Sequence, residues 1–263
     1  MGWIRCDWKF VKRDSDITII KKKEEIYMNE KAIAIITARG GSKRIPKKNI
    51  KEFCGKPIIS YSIEAALKSD LFDEVMVSTD SEEIAEVARK YGAKVPFMRS
   101  EKTSDDFATT ADVLMEVLDE YKKRGKTYKY MACIYPTAPF VTAESLGKGR
   151  ELLNTEDNIY MVNPVVKFSF PPQRGVVINE KGILEAIAME NRFVRSQDLR
   201  DIYHDVGQFY WYDAEKFVMN DGIMDGFSAP LILNELYVQD IDNETDWKIA
   251  EMKYEILKRN GLI

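Results

Sequence analysis

The sequence contains few of the residues on which disulfide frameworks and His-rich metal sites depend. Its 263 residues include three cysteines, Cys6, Cys54 and Cys133, and one histidine, His204. The cysteines are far apart, so they form neither a zinc-binding spacing nor an even-numbered disulfide set. The single histidine excludes a His-rich metal site. This composition favours a protein of the reduced cytoplasm.

Long apolar segments are also missing. No run approaches the roughly 20 residues of a membrane-spanning helix, and the N-terminus lacks the continuous apolar stretch of a secretory signal. The net charge of −4 argues against nucleic acid or an anionic membrane as the main partner. At 45% hydrophobic and 31% charged residues, the chain has the composition of a globular protein with a sizeable core.

Residues 1–27 differ from the rest of the chain. They show little periodicity and contain seven basic and five acidic residues, in contrast to the acidic remainder. Met28 stands directly before the first strand pattern. We therefore interpret residues 1–27 as an N-terminal extension and residues 28–263 as the functional domain. The extension is either the product of a start upstream of the natural one at Met28 or a genuine mobile tail.

From residue 32 the chain alternates between short apolar runs and segments with helical periodicity. The apolar runs predict strands over residues 32–37, 74–79, 94–98, 130–135 and 159–165. The periodic segments predict helices over residues 57–69, 81–91, 108–123, 142–153 and 244–258. This alternation predicts an α/β fold with a doubly wound, mostly parallel sheet. Ligands bind such sheets at the carboxyl ends of the strands, which here are followed by loops.

The pattern changes between residues 167 and 203. Phe170-Pro171-Pro172 interrupts regular structure, and residues 179–182 predict a hairpin turn between the short segments VVI and ILEA. We therefore expect a small β-rich insertion here rather than another strand–helix unit. A strand pattern returns over residues 207–212.

The loop after the first predicted strand concentrates positive charge. Residues 39–49, RGGSKRIPKKN, contain five cations and the glycine pair Gly40 and Gly41. Glycine permits a tight turn with N–H groups directed at an anion, and arginine and lysine bind phosphate oxygens. The loop is neither GxxxxGK[ST] nor GxGxxG. Its position in an otherwise acidic chain favours a triphosphate site over a merely solvated basic surface.

Two aspartates near the C-terminal end predict a metal site. Asp240 and Asp242 are one residue apart, and on a strand this spacing places both carboxylates on one face. Paired carboxylates are suited to Mg²⁺. Together with the basic loop, they indicate metal-assisted nucleotidyl transfer. The alternative is a polar strand end in which Asp242 lies near the cap of the following helix.

The segment ARGGSKRIPKKN resembles the signature of CMP-sialic acid synthetases and related cytidylyltransferases, and the similarity runs from about residue 32 to residue 258. The resemblance implies a Rossmann-like, GT-A-like nucleotidyltransferase fold. It implies transfer of CMP from CTP to the C2 hydroxyl of a nine-carbon 2-keto sugar acid, with release of pyrophosphate. It also implies a cytoplasmic homodimer, in which the insertion mediates dimerisation and reaches into the neighbouring active site.

The resemblance assigns roles to individual residues. Arg99 and the segment SDDFATT, residues 104–110, would contact cytosine and ribose. Asp240 and Asp242 would hold Mg²⁺, while Arg39 and Lys43 would stabilise the charge on the leaving pyrophosphate. The general base is not identified. The full set implied to bind the nucleotide is Arg39, Gly40, Gly41, Ser42, Lys43, Lys48, Asn49, Asp80, Arg99, Ala108, Thr109 and Thr110.

The sugar is indicated by a different segment. Residues 135–140, YPTAPF, depart from the QPTSP of sialic acid enzymes and from the GDEP of Kdo enzymes. Together with residues 195–198 and 203–211, they resemble the branch that activates pseudaminic acid for bacterial surface glycosylation, such as that of flagellin. The residues so implied to contact the sugar are Tyr135, Thr137, Arg195, Gln197, His204 and Gln208. An exposed loop at 195–198 and a purely structural His204 are the alternatives.

Three competing functions remain open. An enzyme of the same family could instead activate N-acetylneuraminic or legionaminic acid. A non-catalytic nucleotide-binding protein could share the fold, although it would not need the pair Asp240 and Asp242. A dehydrogenase is disfavoured, because its phosphate loop relies on helix N–H groups rather than on five cations.

Overall fold

A computed structural model describes residues 30–263, so our interpretation of residues 1–27 lies outside the described part of the chain. The strands are β1 (Ala32–Thr37), β2 (Glu52–Phe53), β3 (Lys56–Pro57), β4 (Glu74–Ser78), β5 (Tyr130–Ile134), β6 (Met161–Lys167), β7 (Val176–Ile178), β8 (Leu184–Ala186), β9 (Tyr203–Asp205), β10 (Phe209–Asp213) and β11 (Ser228–Ile232). The helices are α1 (Ile59–Ser69), α2 (Glu82–Lys90), α3 (Thr110–Lys123), α4 (Ala143–Leu152), α5 (Ala214–Met219) and α6 (Glu244–Arg259).

Seven strands form one mixed sheet in the order β11-β6-β10-β5-β1-β4, with β9 paired to β6. Strands β4, β1 and β5 are parallel. Strand β10 lies antiparallel between β5 and β6, and β11 runs parallel to β6. The predicted α/β fold is confirmed. The sheet is mixed because β10 and β9 run opposite to the other strands.

Alternation along β1 explains why helices cover both faces of the sheet. Ala34 and Ile36 pack with α1, α2 and α4 on one face, while Ile33 and Ile35 pack with α3 and α5 on the other. These β1 residues are all fully buried. Successive side chains of a strand point to opposite faces, so an apolar run without alternation requires cover on both sides.

Two of the differences between the predicted and the observed strands involve proline. Residues 94–98 form only an isolated bridge between Lys94 and Met76, because Pro96 has no N–H to donate to a ladder. Strand β11 was not predicted, since Pro230 lies in its middle. Proline is tolerated there because β11 is at the edge of the sheet.

Local signals in the sequence placed the starts of the five predicted helices to within two residues and located the hairpin, whereas α5 was not predicted. Helix α6 begins with a capping box, in which Asn243 accepts from the N–H of Asp246 and the Asp246 carboxylate accepts from the N–H of Asn243. Residues 179–182 connect the antiparallel strands β7 and β8, as the turn pattern predicts. No helix within residues 30–263 has the length and apolar character that a bilayer span requires.

A buried carboxylate at the start of β4 links the sheet to α3. Glu74 is 5% exposed, and it accepts hydrogen bonds from the Tyr121 hydroxyl, from Lys126 Nζ at 2.9 Å and from Lys94 Nζ at 3.3 Å. Burial acts to raise the pKa of Glu74, but these three donors outweigh burial and hold the pKa below its ordinary value. The ionised form is therefore favoured in the folded protein.

This carboxylate makes a defined contribution to acid stability. Because the pKa of Glu74 is lower in the folded state, its contribution is present above the unfolded pKa of about 4.3 and is lost as the pH falls through the folded pKa. We expect Glu74→Gln to cost about 2 kcal/mol at pH 7, or about 4–8 °C in Tm, and to flatten the acid limb of a Tm–pH curve. The exposed Glu156 provides the control, and equal effects of Glu156→Gln and Glu74→Gln would contradict this role.

Candidate active site

A polar cleft of about 490 Å³ opens where β1 and β5 end. It lies at the edge of the sheet at which the strand–helix pattern places a ligand. Most of the residues implied to bind the nucleotide, two of those implied to contact the sugar and one predicted metal ligand come together there. The predicted residues that line the cleft are Arg39, Ser42, Lys43, Lys48, Asn49, Arg99, Ala108, Thr109, Thr110, Tyr135, Thr137 and Asp242.

The basic loop is held in place by one hydrogen bond to a neighbouring segment and one within the loop itself. The N–H of Gly40 donates to Asp80 Oδ1 at 2.7 Å, and buried Asn49 donates from Nδ2 to the carbonyl of Arg39 at 2.8 Å. A Cβ atom at position 40 would lie 3.2 Å from Cβ of Ser81, so only glycine permits this close approach without adjustment. Asp80, Gly40 and Gly41 do not line the cleft. The hydrogen bond between Gly40 and Asp80 instead positions the basic loop, whose other residues line it.

Two loop cations already face a carboxylate from the opposite wall. Arg39 Nη1 donates to Asp106 Oδ1 at 3.0 Å and to the carbonyl of Asp105 at 3.1 Å. Lys43 Nζ donates to Asp106 Oδ2. A third cation, Arg44, pairs with Asp242 across 2.8 Å. The loop therefore carries a concentrated positive charge that the described residues neutralise in part.

Lys48 connects the loop to the predicted metal ligands. Its Nζ is partly buried and donates to the carbonyl of Ile241 at 2.8 Å, between the two aspartates. Burial lowers the pKa of Lys48, and the nearby charges of Asp242 and Asp240 act in the opposite direction. Lys48 and Ile241, which are 193 residues apart in the sequence, thus meet at one point of the cleft.

The predicted strand geometry of Asp240 and Asp242 is wrong. Both lie in an irregular segment between β11 and α6, so period-two alternation does not decide where their carboxylates point. Asp242 lines the cleft, whereas Asp240 is exposed and does not. The position of Asp242 follows from the start of α6, because its N–H donates to the carboxylate of the capping residue Asp246 at 2.9 Å.

The carboxylates fit a magnesium ion that shares its coordination with a substrate. Within residues 30–263, no group of three or more His, Cys, Asp or Glu side chains is arranged to hold a metal. Mg²⁺ needs no such cage, since it is commonly bound by one or two carboxylates with water and phosphate oxygens. Asp242 lines the cleft and can supply one such carboxylate, and the exposed Asp240 lies two residues away along the chain.

The wall opposite the basic loop is formed by Arg99 and the start of α3. Arg99 is buried and donates from Nε to Ser78 Oγ at 3.0 Å and from Nη2 to the Ser78 carbonyl at 2.7 Å. Burial lowers its pKa, with Asp80 and Glu116 opposing that effect. Thr110 Oγ1 lies 3.4 Å from the hydroxyl of Tyr135. Two hydrogen bonds to Ser78 thus fix the orientation of the Arg99 guanidinium on this wall.

The remaining residues implied to contact the sugar do not line this cleft. Arg195 forms an ion pair with Asp198 at 2.7 Å, and Gln197 lines a separate small depression in the insertion. The His204 ring lies 4.6 Å from that of Phe168. Gln208 is buried and donates from Nε2 to the carbonyl of Tyr237 at 2.5 Å.

Several cleft residues were not among the predicted ligands. Arg44 and Asp106 belong to the two quoted motifs, but the sequence does not reveal which of their charges face each other. Thr103 and Val113 fall on turns and helix ends without a distinctive pattern. The full additional set is Thr37, Arg44, Ile45, Thr103, Asp105, Asp106, Val113 and Pro136.

Comparisons with known proteins agree with this geometry. The sequence profile described as "Cytidylyltransferase" matches residues 33–171. The chain is 39% identical over 226 residues to the pseudaminic acid cytidylyltransferase of Campylobacter jejuni, covering 86% of this chain and 97% of that protein. It is 31% identical to the CMP-N,N'-diacetyllegionaminic acid synthase of Legionella pneumophila, over 85% of this chain and 96% of that protein.

A solved structure supports the fold assignment. The CMP:2-keto-3-deoxy-manno-octonic acid synthetase complexed with CTP superposes with a TM-score of 0.61 over 87% of this chain and 99% of that chain. The identity is 17%, so this likeness concerns the fold alone. The relatives and the matched profile place the function more narrowly. The chain belongs to the cytidylyltransferase family of nucleotidyltransferase enzymes.

Proposed function

We propose that this enzyme transfers CMP from CTP to the C2 hydroxyl of pseudaminic acid and releases pyrophosphate. The observation that carries the proposal is the meeting of the basic loop, Arg99 and Asp242 in one cleft. The 39% identical relative is named for this activity. Since CTP is a cytoplasmic metabolite, the proposal also assigns the reaction to the cytoplasm.

The basic loop binds the triphosphate. Arg39 and Lys43 both pair with Asp106 across the cleft. Their N–H groups can serve as donors to phosphate oxygens. Their charge stabilises the pyrophosphate as the bond to the α-phosphorus breaks. Lys48 holds the loop against the segment that carries Asp242. We assign direct phosphate contact to Arg39, Ser42, Lys43 and Lys48, and a positioning role to Asn49.

Asp242, with Asp240 beside it, would hold Mg²⁺. Bound there, the ion would offset phosphate charge and favour in-line attack. In this assignment Asp242 exchanges its ion pair with Arg44 for the metal. The pair of carboxylates also distinguishes an enzyme from a nucleotide-binding protein that has no catalytic role.

The cytosine and the sugar contact different residues of the cleft in this proposal. Arg99, whose guanidinium is fixed by Ser78, presents a rigid donor to the base together with the backbone at Ala108 and the hydroxyl of Thr109. Tyr135 and Thr137 face the sugar. Rigid donors favour discrimination, because a wrong base leaves buried polar groups unpaired.

We further propose a homodimer built on the arm, which we define as residues 167–203. The arm exposes large apolar side chains, including Phe170 at 85%, Ile178 at 73% and Phe193 at 89% exposure. Such a concentration of exposed apolar surface is typical of an interface. Arg195 and Gln197, which do not line the cleft of their own chain, would then be available to the cleft of the partner.

A substrate panel tests the proposed activity. The protein is incubated with CTP, Mg²⁺ and either pseudaminic, N,N'-diacetyllegionaminic or N-acetylneuraminic acid, and pyrophosphate release is measured against a blank without sugar. We expect the highest kcat/KM with pseudaminic acid, by about tenfold or more, because stereochemical mismatch in a polar pocket costs at least 1.4 kcal/mol. Higher turnover of either other acid would overturn the sugar assignment while leaving cytidylyl transfer intact.

A further inference from the structure

Asp106 occupies the position between the two cations assigned to the phosphates. Its two carboxylate oxygens are divided between them, with Oδ1 accepting from Arg39 and Oδ2 from Lys43. The hydrogen bond and charge of Lys43, followed by the charge of Arg39, hold the pKa of Asp106 below its ordinary value. Asp106 is therefore ionised at neutral pH and acts as an anion inside the cleft.

The segment that carries Asp106 is anchored on its C-terminal side. Asp105 Oδ1 accepts from the N–H groups of Phe107 and Ala108 at 2.9 and 2.7 Å, and Thr109 begins α3 with a capping box. Asp106 itself is held to the opposite wall through Arg39 and Lys43, and its side chain is about half exposed. Its carboxylate can leave the cations without disturbing the helix behind it.

Phosphate oxygens and the Asp106 carboxylate need the same donors. Arg39 Nη1 and Lys43 Nζ are the atoms that Asp106 engages, and they are the groups assigned to the triphosphate. Exposed ion pairs are weak and are exchanged readily for a more highly charged partner. A triphosphate carries about four negative charges, so it competes well against one carboxylate.

We propose that Asp106 is a resident counter-ion, which CTP displaces from Arg39 and Lys43 and which returns to them as pyrophosphate leaves. The inference rests on the proposed function, in which these two cations bind the phosphates. Asp106 is then a positioning residue that acts through the cations. Its presence weakens polyphosphate binding and speeds release of the product.

A charge-neutral variant and a matched control test the exchange. Asp106→Asn removes the charge with little change in shape. Glu83→Gln is the matched control. It also removes a carboxylate charge that pairs with a cation of the basic loop, since Glu83 lies 2.7 Å from Lys47. Neither Glu83 nor Lys47 lines the cleft. Pyrophosphate alone, and then CTP alone, are titrated into each protein by calorimetry at low and high salt, and Tm is recorded to verify folding.

We expect Asp106→Asn to bind pyrophosphate and CTP about three- to tenfold more tightly, as the loss of two exposed competing ion pairs predicts. The gain should shrink at high salt, because screening weakens the competition in both proteins. In turnover, KM for CTP should fall and inhibition by pyrophosphate should strengthen. Glu83→Gln should change each constant by less than about twofold.

Unchanged or weaker binding in a folded Asp106→Asn protein would overturn the inference. Weaker binding would identify Asp106 as a direct ligand of the nucleotide or its metal, and an equal gain in Glu83→Gln would identify a general charge effect. The direct titration separates this inference from the proposed function. If the two proteins show the expected pyrophosphate affinities but the enzyme transfers CMP to no acid in the panel, the proposed activity is refuted. The role of Asp106 as a counter-ion is then still supported.

Discussion

Replacing Asp242 with asparagine is expected to lower the rate of CMP transfer by at least about a hundredfold. Loss of a group that merely supports a metal ligand costs 10–100-fold, so loss of a ligand's own charge should reach the upper end of that range or exceed it. Asparagine keeps the shape and the backbone hydrogen bond to Asp246. CTP binding should persist in part, because Arg39, Lys43 and Lys48 are unchanged.

Pyrophosphate release, measured across a titration of Mg²⁺, gives the readout for this variant. Asp119→Asn provides the control, since Asp119 is an exposed member of α3 that pairs with Lys123 and does not line the cleft. We expect the Asp242 variant to need far more Mg²⁺ and to remain slow at saturation. Turnover equal to that of the control at every Mg²⁺ concentration would refute the metal role of Asp242.

Charges placed on the arm should convert the proposed dimer into monomers. Ile178→Asp combined with Phe193→Asp puts two carboxylates on highly exposed apolar positions of the arm. Burying unpaired charges in an interface opposes association strongly, and loss of hot-spot residues costs 2 kcal/mol or more each. We expect the dimer dissociation constant to rise by at least about a hundredfold. Sedimentation equilibrium and light scattering after gel filtration would measure it.

The arm variant has a matched control on another surface. Met252, on α6, is 66% exposed and lies outside the arm, so Met252→Asp makes the same kind of change without touching the proposed interface. It should leave the oligomeric state unaltered. Turnover should also fall when the arm variant dissociates, if Arg195 and Gln197 serve the partner's cleft. An arm variant that remains the same size as the control would show that the arm does not mediate association.

Local sequence signals predicted much of the fold because they report on local physics. The strands of the parallel core are apolar runs buried on both faces, and helix starts at Thr109, Thr142 and Asn243 each carry a side-chain cap. Proline exposed the limit of this reasoning. Pro96 prevented a strand that the apolar pattern favoured, while Pro230 was accommodated in β11 because of its place at the sheet edge. The position of β11 at the edge is decided only when the sheet assembles, so the local sequence does not reveal it.

The sequence likewise predicted one part of the candidate site and not the other. Its chemical groups were visible in the sequence, since the basic loop, Arg99 and Asp242 all line one cleft. Their pairings were not visible. Arg39 and Asp106 are 67 residues apart, and Lys48 and the Ile241 carbonyl are 193 residues apart. Such contacts follow from the strand order, which periodicity does not encode. The assignment of Asp240 and Asp242 to a strand was wrong for a related reason, because both lie in an irregular segment and the start of α6 holds the backbone N–H of Asp242.

Strand β10 has a consequence for the order in which the molecule can fold. It is the link between the group β4, β1 and β5 and the group that contains β6, yet it is formed by residues 209–213, late in the chain. During synthesis, the first three strands and their helices emerge well before it. The hydrogen-bonding edge of β5 must then stay unpaired until β10 leaves the ribosome, and an open strand edge invites association with other chains. The sheet can therefore be completed only after residues 209–213 have been synthesised, and until then the edge of β5 is a site for association with other chains.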